Sequence, residues 1–254
     1  MTERLAELEQ IYSIVVQNPE EVSKETRKRF WKLVRQIKRS PRPDEQEVIK
    51  AAEIRDIMFE VDRGKTYPLG PALLLEIILG ILAIYGYIWL LGTPLNWSGL
   101  FTWDLSDWIT FGLRFLCVFF AIALLFPIAR VIGGKWAGIK LLGMSTSQAN
   151  EPAVKIDYVT FLKAPASKRK WFFFFSGVWN IIISFCLWIL GMYLAWDYTA
   201  LVPAIVFSVF EGAVVLSGNP SSSRGEMGNY NREKRIERVW KKNLAKLTNS
   251  EQNE

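Results

Sequence analysis

Four long apolar segments constrain this chain more than any other feature of its sequence. They lie at residues 69–92, 109–132, 171–196 and 199–217. Each has about the 20 residues that an α-helix needs to cross the hydrocarbon core of a bilayer. Because a backbone in lipid must satisfy its own hydrogen bonds, such segments are expected to be helices. The sequence therefore predicts an all-α membrane protein with about four transmembrane helices in a domain over residues 69–217.

The regions on either side of these segments are charged and amphipathic. Residues 1–68 contain three stretches with apolar residues at helical spacing, and Ser23 and Asp44 stand at candidate N-cap positions. They predict a helical N-terminal region. Residues 218–254 predict a tail with a flexible loop over 218–229, followed by a basic amphipathic helix. This helix is expected either to lie on the membrane surface or to pack on the N-terminal region.

Lysine and arginine are distributed unequally among the connections. The connection 93–108 has neither, whereas 133–170 has seven and 218–254 has eight. By the positive-inside rule, 133–170 is predicted to be a cytosolic loop, and both termini are predicted to be cytosolic. An even number of spans agrees with this orientation. The sequence leaves open whether the host is a plasma membrane or an internal energy-converting membrane.

Composition excludes or disfavours several kinds of site. There is no histidine, which removes imidazole bases and histidine-ligated metals. The two cysteines, Cys117 and Cys186, lie in apolar segments and are expected to be packing residues. The net charge of +6 forms no basic stripe on a nucleic-acid-binding module. We predict no cofactor, no metal and no nucleic-acid partner, and we expect membrane lipid and other membrane proteins as partners.

Ionisable residues inside the apolar segments are candidates for function, because each costs roughly 2.5–3.5 kcal/mol to insert. Their distances along the helices place Glu76, Arg130 and Glu211 near the cytosolic face, with Asn180 deeper. We expect an intramembrane charge cluster of Glu76, Arg130 and Glu211, in which opposite charges offset one another's desolvation. Arg114 is expected to snorkel to the opposite face. A simpler alternative stays open: Arg130 ends its helix at the interface, and each glutamate is protonated or faces a polar gap.

Three short motifs occur in order along residues 109–217. Residues 126–130 read FPIAR and precede the turn GIK at 138–140. Residues 176–180 read SGVWN, and an EG pair follows at 211–212. In order, spacing and membrane side, the segment resembles the site-2 protease family of intramembrane zinc metalloproteases, whose motifs are H-E-x-x-H, G-P-x-x-N and L-D-G.

The resemblance implies a site-2-protease-like core whose metal site is degenerate. Phe126 and Arg130 occupy the two histidine positions, and Pro127 occupies the general-base position. Asn180 is retained from the second motif, and Glu211 takes the place of the aspartate in the third. A catalytic zinc needs about three protein ligands, so we predict no catalytic residue. Arg130 is instead expected to replace the charge of the metal by pairing with Glu211, with Glu76 as a further candidate partner.

The expected function is that of a non-catalytic, site-2-protease-like adaptor, chaperone or assembly subunit for other membrane proteins. Two alternatives stay open. One is an active intramembrane metalloprotease with an atypical site, for which the sequence supplies no base and too few ligands. The other is a small transporter or channel with Glu76, Arg130 and Glu211 along its path, although no inverted repeat is visible.

Overall fold

The computed structural model describes residues 2–146, 152–221 and 225–251. Most of this chain is helical. In chain order the elements are α1 Glu3–Gln17, α2 Lys24–Arg39, α3 Glu45–Arg63, β1 Thr66–Pro68, α4 Leu69–Leu90, a 3-10 helix Trp97–Thr102, α5 Leu105–Ala137, β2 Leu141–Thr146, β3 Pro152–Ile156, α6 Tyr158–Lys163, α7 Ala166–Ala195, α8 Leu201–Ser217 and α9 Gly225–Glu251.

The first three helices are amphipathic, as the sequence pattern predicts, and each begins at a side-chain cap. The side chains of Thr2, Ser23 and Asp44 accept hydrogen bonds from backbone N–H groups in the first turns that follow. The apolar faces of the three helices meet in one buried core. Glu47 on α3 is fully buried and accepts hydrogen bonds from the Thr2 hydroxyl at 2.7 Å and from Arg4 Nε at 3.1 Å. These bonds tie the start of α1 to α3.

Three helices, α4, α5 and α7, are long and apolar enough to cross a membrane. They contain 22, 33 and 30 residues, and they correspond to the first three predicted spans. The chain is therefore a membrane-embedded protein. The fourth predicted span forms α8, which has 17 residues and is about 26 Å long at about 1.5 Å per residue. Since the hydrocarbon core is about 30 Å thick, a fourth span stays a prediction.

The predicted loop 133–170 is largely ordered secondary structure. Helix α5 runs through Pro127 and continues to Ala137, where Gly138 ends it with a φ of 76°. A Cβ added at Gly133 would lie 3.2 Å from the carbonyl oxygen of Phe172, so glycine allows α5 to approach α7 closely. Residues 133–137 are therefore helical where the start of a loop was predicted.

The same segment also carries a small sheet that the all-α prediction missed. Its strand order is β1-β2-β3, with both pairs antiparallel. Tyr67 is in register with Met144, so the strand just before α4 pairs with the strand that follows α5. A register shift between Leu141 and Gly143 interrupts the β2–β3 pairing. The sheet and α6 lie together beside α3 and the ends of α4 and α5.

The C-terminal helix α9 packs on α2 and α7, which is the second of its two predicted placements. It begins at Gly225, so residues 225–229 are helical and the predicted flexible loop is shorter than expected. Residues 222–224 of that loop lie outside the described residues. We refer to α1, α2, α3, α6, α9 and the three strands as the head, and to α4, α5, α7 and α8 as the apolar helices.

Candidate functional site

At the end of the apolar helices that lies away from the head, Arg114 is buried in an ion pair. Its side chain is 1% exposed, and Nη1 donates to Asp197 Oδ1 at 2.5 Å. Asp197 also accepts hydrogen bonds from Tyr87 Oη at 2.8 Å and from the N–H and hydroxyl of Thr199. The prediction that Arg114 snorkels to the membrane face is wrong, because Asp197 supplies a buried partner. This group joins α4, α5 and the α7–α8 connection.

A second buried charge network fastens the head to α7. Glu233 on α9 is fully buried, and its two oxygens accept from Lys38 Nζ at 2.6 Å and from Arg169 Nε at 3.0 Å. Arg169 also donates to the backbone carbonyl oxygens of Lys38 and Ala164, each at 2.8 Å. One carboxylate thus holds together three helices that are far apart in sequence.

Burial and neighbouring charges shift the pKa values in this network. Desolvation lowers the pKa of Lys38 from 10.5 to about 8; Glu233 opposes this shift, while Arg169 and Arg232 add to it. Burial alone would raise the pKa of Glu233, but the charges of Lys38 and Arg169 outweigh it and hold that pKa below its usual value. Lys38 Nζ also lies 4.5 Å from the ring centroid of Phe161, so its ammonium group is fully engaged.

We expect Lys38 to make the stability of the head rise with pH between about 8 and 10.5. In this interval the unfolded chain holds a proton at Lys38 that the folded chain has released, so the free energy of unfolding increases by up to about 1.4 kcal/mol per pH unit. Melting temperatures in an uncharged detergent would show wild type gaining on Lys38→Met as the pH rises. The control Lys241→Met, at a mostly exposed lysine, should keep the wild-type slope. Parallel curves for wild type and Lys38→Met would contradict this assignment.

Arg130 pairs with a residue outside the predicted charge cluster. Its Nη2 donates to Glu226 Oε1 at the start of α9, and its guanidinium lies 4.7 Å from the ring centroid of Phe172. Among the described residues, neither Glu76 nor Glu211 has a cationic nitrogen within 4.0 Å. The predicted ion pairing of Arg130 with Glu211 is therefore wrong, and Glu76, Arg130 and Glu211 do not form ion pairs with one another. Helix α9 supplies a carboxylate that the expected cluster did not include.

The positions that the family resemblance aligns with a metal motif lie along the head end of α5. Phe126 and Arg130 face a cavity, whereas Pro127 is buried within the helix. Asn180 lies on α7, where its backbone carbonyl oxygen accepts a hydrogen bond from the Ser184 hydroxyl at 2.7 Å. Within the described ranges, no three histidine, cysteine, aspartate or glutamate residues come together as a metal site.

The cavity, of about 790 Å³, lies between the head and the adjoining ends of α5 and α7. This volume is typical of small-molecule binding sites, which span about 300–1,000 Å³. Helices α2, α3, α6 and α9 and strand β3 form its walls on the head side. On the other side, Phe126 of α5 and Phe172 and Phe173 of α7 supply aromatic rings. The cavity thus extends from the charged head to the apolar helices.

The charge around this cavity is almost all of one sign. Glu226 is its one carboxylate-bearing residue, against seven cationic side chains: Lys28, Arg35, Lys38, Arg55, Arg63, Arg130 and Arg232. Three of the seven have an acidic partner, since Lys38 pairs with Glu233, Arg55 with Asp56 and Arg130 with Glu226. No carboxylate oxygen in the described chain lies within 4.0 Å of the other four.

Two hydrogen-bond acceptors in the wall of the cavity lack a donor. Asn229 Oδ1 and Glu226 Oε2 are both buried and make no hydrogen bond in the described structure. Buried polar atoms are nearly always paired, and an unpaired one costs about 1–3 kcal/mol. Both atoms belong to α9 and stand one turn apart, and the other carboxylate oxygen of Glu226 pairs with Arg130. This corner of the cavity therefore offers acceptors as well as cations.

Sequence reasoning missed the buried ion pairs that join α9 to α2 and α7. Glu233 and Glu237 stand one turn apart on α9, on either side of Ile236, and all three are buried. An acidic residue inside an apolar stripe of a basic helix indicates a buried ion pair, and this signal was available in the sequence. The partners Lys38 and Arg169 could not be identified in this way, because they lie 195 and 64 residues from Glu233 along the chain.

Comparisons of the chain with protein-family models, with curated proteins and with solved structures find no match. The resemblance to the site-2 protease family therefore stays a prediction.

Proposed function

We propose that the chain is a non-catalytic integral membrane protein, an adaptor for other membrane proteins, whose head binds an anionic ligand in the cavity between the head and the apolar helices. In this arrangement both termini, and with them the head, lie on the cytosolic side. The apolar helices face lipid and partner proteins. The family resemblance implies a site-2-protease-like protein that has lost its metal-dependent chemistry.

The observation that carries this proposal is the unequal charge around the cavity, where seven cationic residues face one carboxylate-bearing residue. Four unpaired cations around one space repel each other and stay hydrated unless an anion joins them. A ligand of opposite charge would remove this repulsion, and it can reach the four side chains because Lys28, Arg35 and Arg63 are exposed and Arg232 is partly exposed. Aromatic rings on the other wall favour a ligand that also has an apolar or flat part.

Binding is favoured over catalysis because the titratable groups that could act as acid or base in the cavity are already held in ion pairs. Lys38, with its lowered pKa, is the group most like a general base, but Glu233 holds its nitrogen at 2.6 Å. Glu226 is held by Arg130. The four remaining cations can attract and orient an anion, and they offer no paired acid and base.

The proposed function predicts saturable binding of pyrene trisulfonate, a water-soluble aromatic polyanion. Fluorescence anisotropy would be measured with the full chain in an uncharged detergent. The double variant Arg35→Gln/Arg232→Gln should bind roughly 10- to 100-fold more weakly, because each lost charged hydrogen bond is worth about 1.5–3 kcal/mol and part of this is offset by water.

The matched control is Lys241→Gln/Lys242→Gln. It also removes two positive charges, but from a part of α9 outside the cavity, and it should leave the affinity within about twofold of wild type. Equal affinities for wild type and Arg35→Gln/Arg232→Gln would contradict the proposal. Melting temperatures of all three proteins show whether each is folded. Neither arginine has a carboxylate partner among the described residues, so their removal leaves no orphaned acid.

A further inference from the structure

We infer that the ligand of the cavity is a phosphorylated polyol, presented as the headgroup of a membrane lipid. Because it names the ligand of the same cavity, this inference rests on the proposed function. Three features carry it: the type of the unpaired cations, the unpaired acceptors beside them, and the place of the cavity along the apolar helices.

The unpaired cations favour phosphate over a carboxylate ligand. Three of the four are arginines, Arg35, Arg63 and Arg232, and they come from three different helices of the head. A guanidinium binds two phosphate oxygens at once, and a phosphomonoester carries up to two negative charges and three terminal oxygens. One compact phosphate can therefore be shared by arginines from several sides. A carboxylate has one charge and two oxygens, so it would leave more of this wall unpaired.

The unpaired acceptors require donors that a bare phosphate lacks. Asn229 Oδ1 and Glu226 Oε2 are buried and unpartnered in the wall that also holds Arg232, which lies one turn beyond Asn229 on α9. Phosphate oxygens at neutral pH are acceptors and cannot satisfy these atoms. Hydroxyl groups on a glycerol, inositol or sugar attached to the phosphate can donate to both, once the two partly exposed side chains turn these oxygens toward the cavity. The combination of arginines and free acceptors therefore matches a phosphate on a polyol.

The place of the cavity assigns this headgroup to a lipid. Phe126 and Arg130 lie on α5, a membrane-spanning helix, and Phe172 and Phe173 lie on α7, another. The cavity is thus lined by aromatic rings where the apolar helices end and by free cations where the head begins. Lipid headgroups occupy this same boundary, and basic pockets between helices on the cytosolic side bind anionic lipids. Acyl chains could remain in the bilayer beside α5 and α7 while the headgroup enters the cavity.

Native mass spectrometry of the full chain in an uncharged detergent tests this inference. Lipids with matched acyl chains are added singly: phosphatidylinositol monophosphate, phosphatidic acid and phosphatidylcholine. We expect one phosphatidylinositol monophosphate per chain, bound at least about tenfold more tightly than phosphatidylcholine. Arg232→Gln should weaken this binding about tenfold or more, and the control Lys241→Gln on the same helix should not. Phosphatidic acid has the phosphate without the polyol and should bind less tightly.

A second variant isolates the polyol contacts from the charge. Asn229→Leu removes the free acceptor but no charge, so it should reduce the preference for phosphatidylinositol monophosphate over phosphatidic acid by about three- to tenfold while phosphatidic acid binding is kept. An unchanged preference would overturn the polyol assignment. Equal affinity for soluble inositol bisphosphate would support the phosphorylated polyol and overturn the lipid as its source.

Failure of the inference can be told apart from failure of the proposed function. If pyrene trisulfonate binds in an Arg232-dependent way while no phosphate compound competes with it, the cavity binds anions but the ligand class is wrong. Competition by polyglutamate without competition by phosphates would assign the cavity to an acidic protein segment and overturn the inference. If neither the probe nor any phosphate compound binds, the inference and the proposed function both fail.

Discussion

Replacing Glu233 by glutamine is expected to destabilise the head by about 3–5 kcal/mol, which is typical of breaking a buried ion pair from one side. The carboxylate lies between Lys38 and Arg169, whose side chains are 6% and 1% exposed. Glutamine has nearly the same shape but no charge, so both cations would remain buried without a counter-charge. We expect a lower melting temperature in detergent and faster proteolysis between the head and α7.

The matched control is Glu237→Gln, one turn further along α9. Glu237 pairs with Lys170 at 2.7 Å and Lys241 at 3.0 Å, whose side chains are 18% and 65% exposed. Water reaches these cations, so the loss should be closer to 1 kcal/mol or less. A double variant adds a second check: Lys38→Met with Glu233→Gln should cost less than the two single changes summed, because the buried lysine is gone. Similar melting temperatures for Glu233→Gln and Glu237→Gln would contradict this account.

The elements that the sequence predicts well are those decided by local pattern. Ser23 and Asp44 cap the helices that follow them because the capping bond spans only three residues. The apolar segments predict α4, α5 and α7 because length and hydropathy are sufficient to identify a spanning helix. The ends of these helices are less predictable, since α5 and α7 continue beyond the apolar part into the head.

The features that the sequence did not predict are decided by contacts between distant segments. The short strands β1 and β2 are stabilised by pairing across more than seventy residues, and neither has a strong alternating pattern of its own. Arg130 has an acidic partner on α9 instead of on an apolar helix. Depth along a helix places charged residues at the same level, but it does not say which helices are neighbours or which way each side chain points.

The cavity also could not be predicted from local sequence pattern, because distant segments form it. Its four unpaired cations come from α2, α3 and α9, and each looks like an ordinary surface residue in the sequence. Part of the excess of positive charge is local, because α2 carries eight lysine and arginine residues and one glutamate. Asp62 on α3 pairs with Arg27, and Glu233 on α9 pairs with Lys38. The rest of the excess is created by folding, which assigns carboxylates of α3 and α9 to other partners.

Replacing Asp197 by asparagine is expected to have an effect as large as that of Glu233→Gln, about 3–5 kcal/mol, at the opposite end of the molecule. Asp197 is 1% exposed and accepts hydrogen bonds from Arg114, Tyr87 and Thr199. Asparagine keeps one acceptor oxygen and replaces the other with an NH2 group. This group would face a donor from Arg114, Tyr87 or Thr199, and two donors cannot form a hydrogen bond with each other. Arg114 would then be a buried cation without a carboxylate, next to the apolar helices.

The effect should be visible as a lower melting temperature in detergent, while anion binding by the head of the folded protein is kept. Asp104→Asn is the matched control, because Asp104 is an exposed N-cap of α5 and asparagine caps helices nearly as well. Adding Arg114→Met to Asp197→Asn should recover part of the loss, since the unpaired charge is then removed as well. If Asp197→Asn melts together with Asp104→Asn, Arg114 has an alternative route to water. Such a result would show that the ion pair of Arg114 with Asp197 contributes little to stability, and it would contradict this prediction.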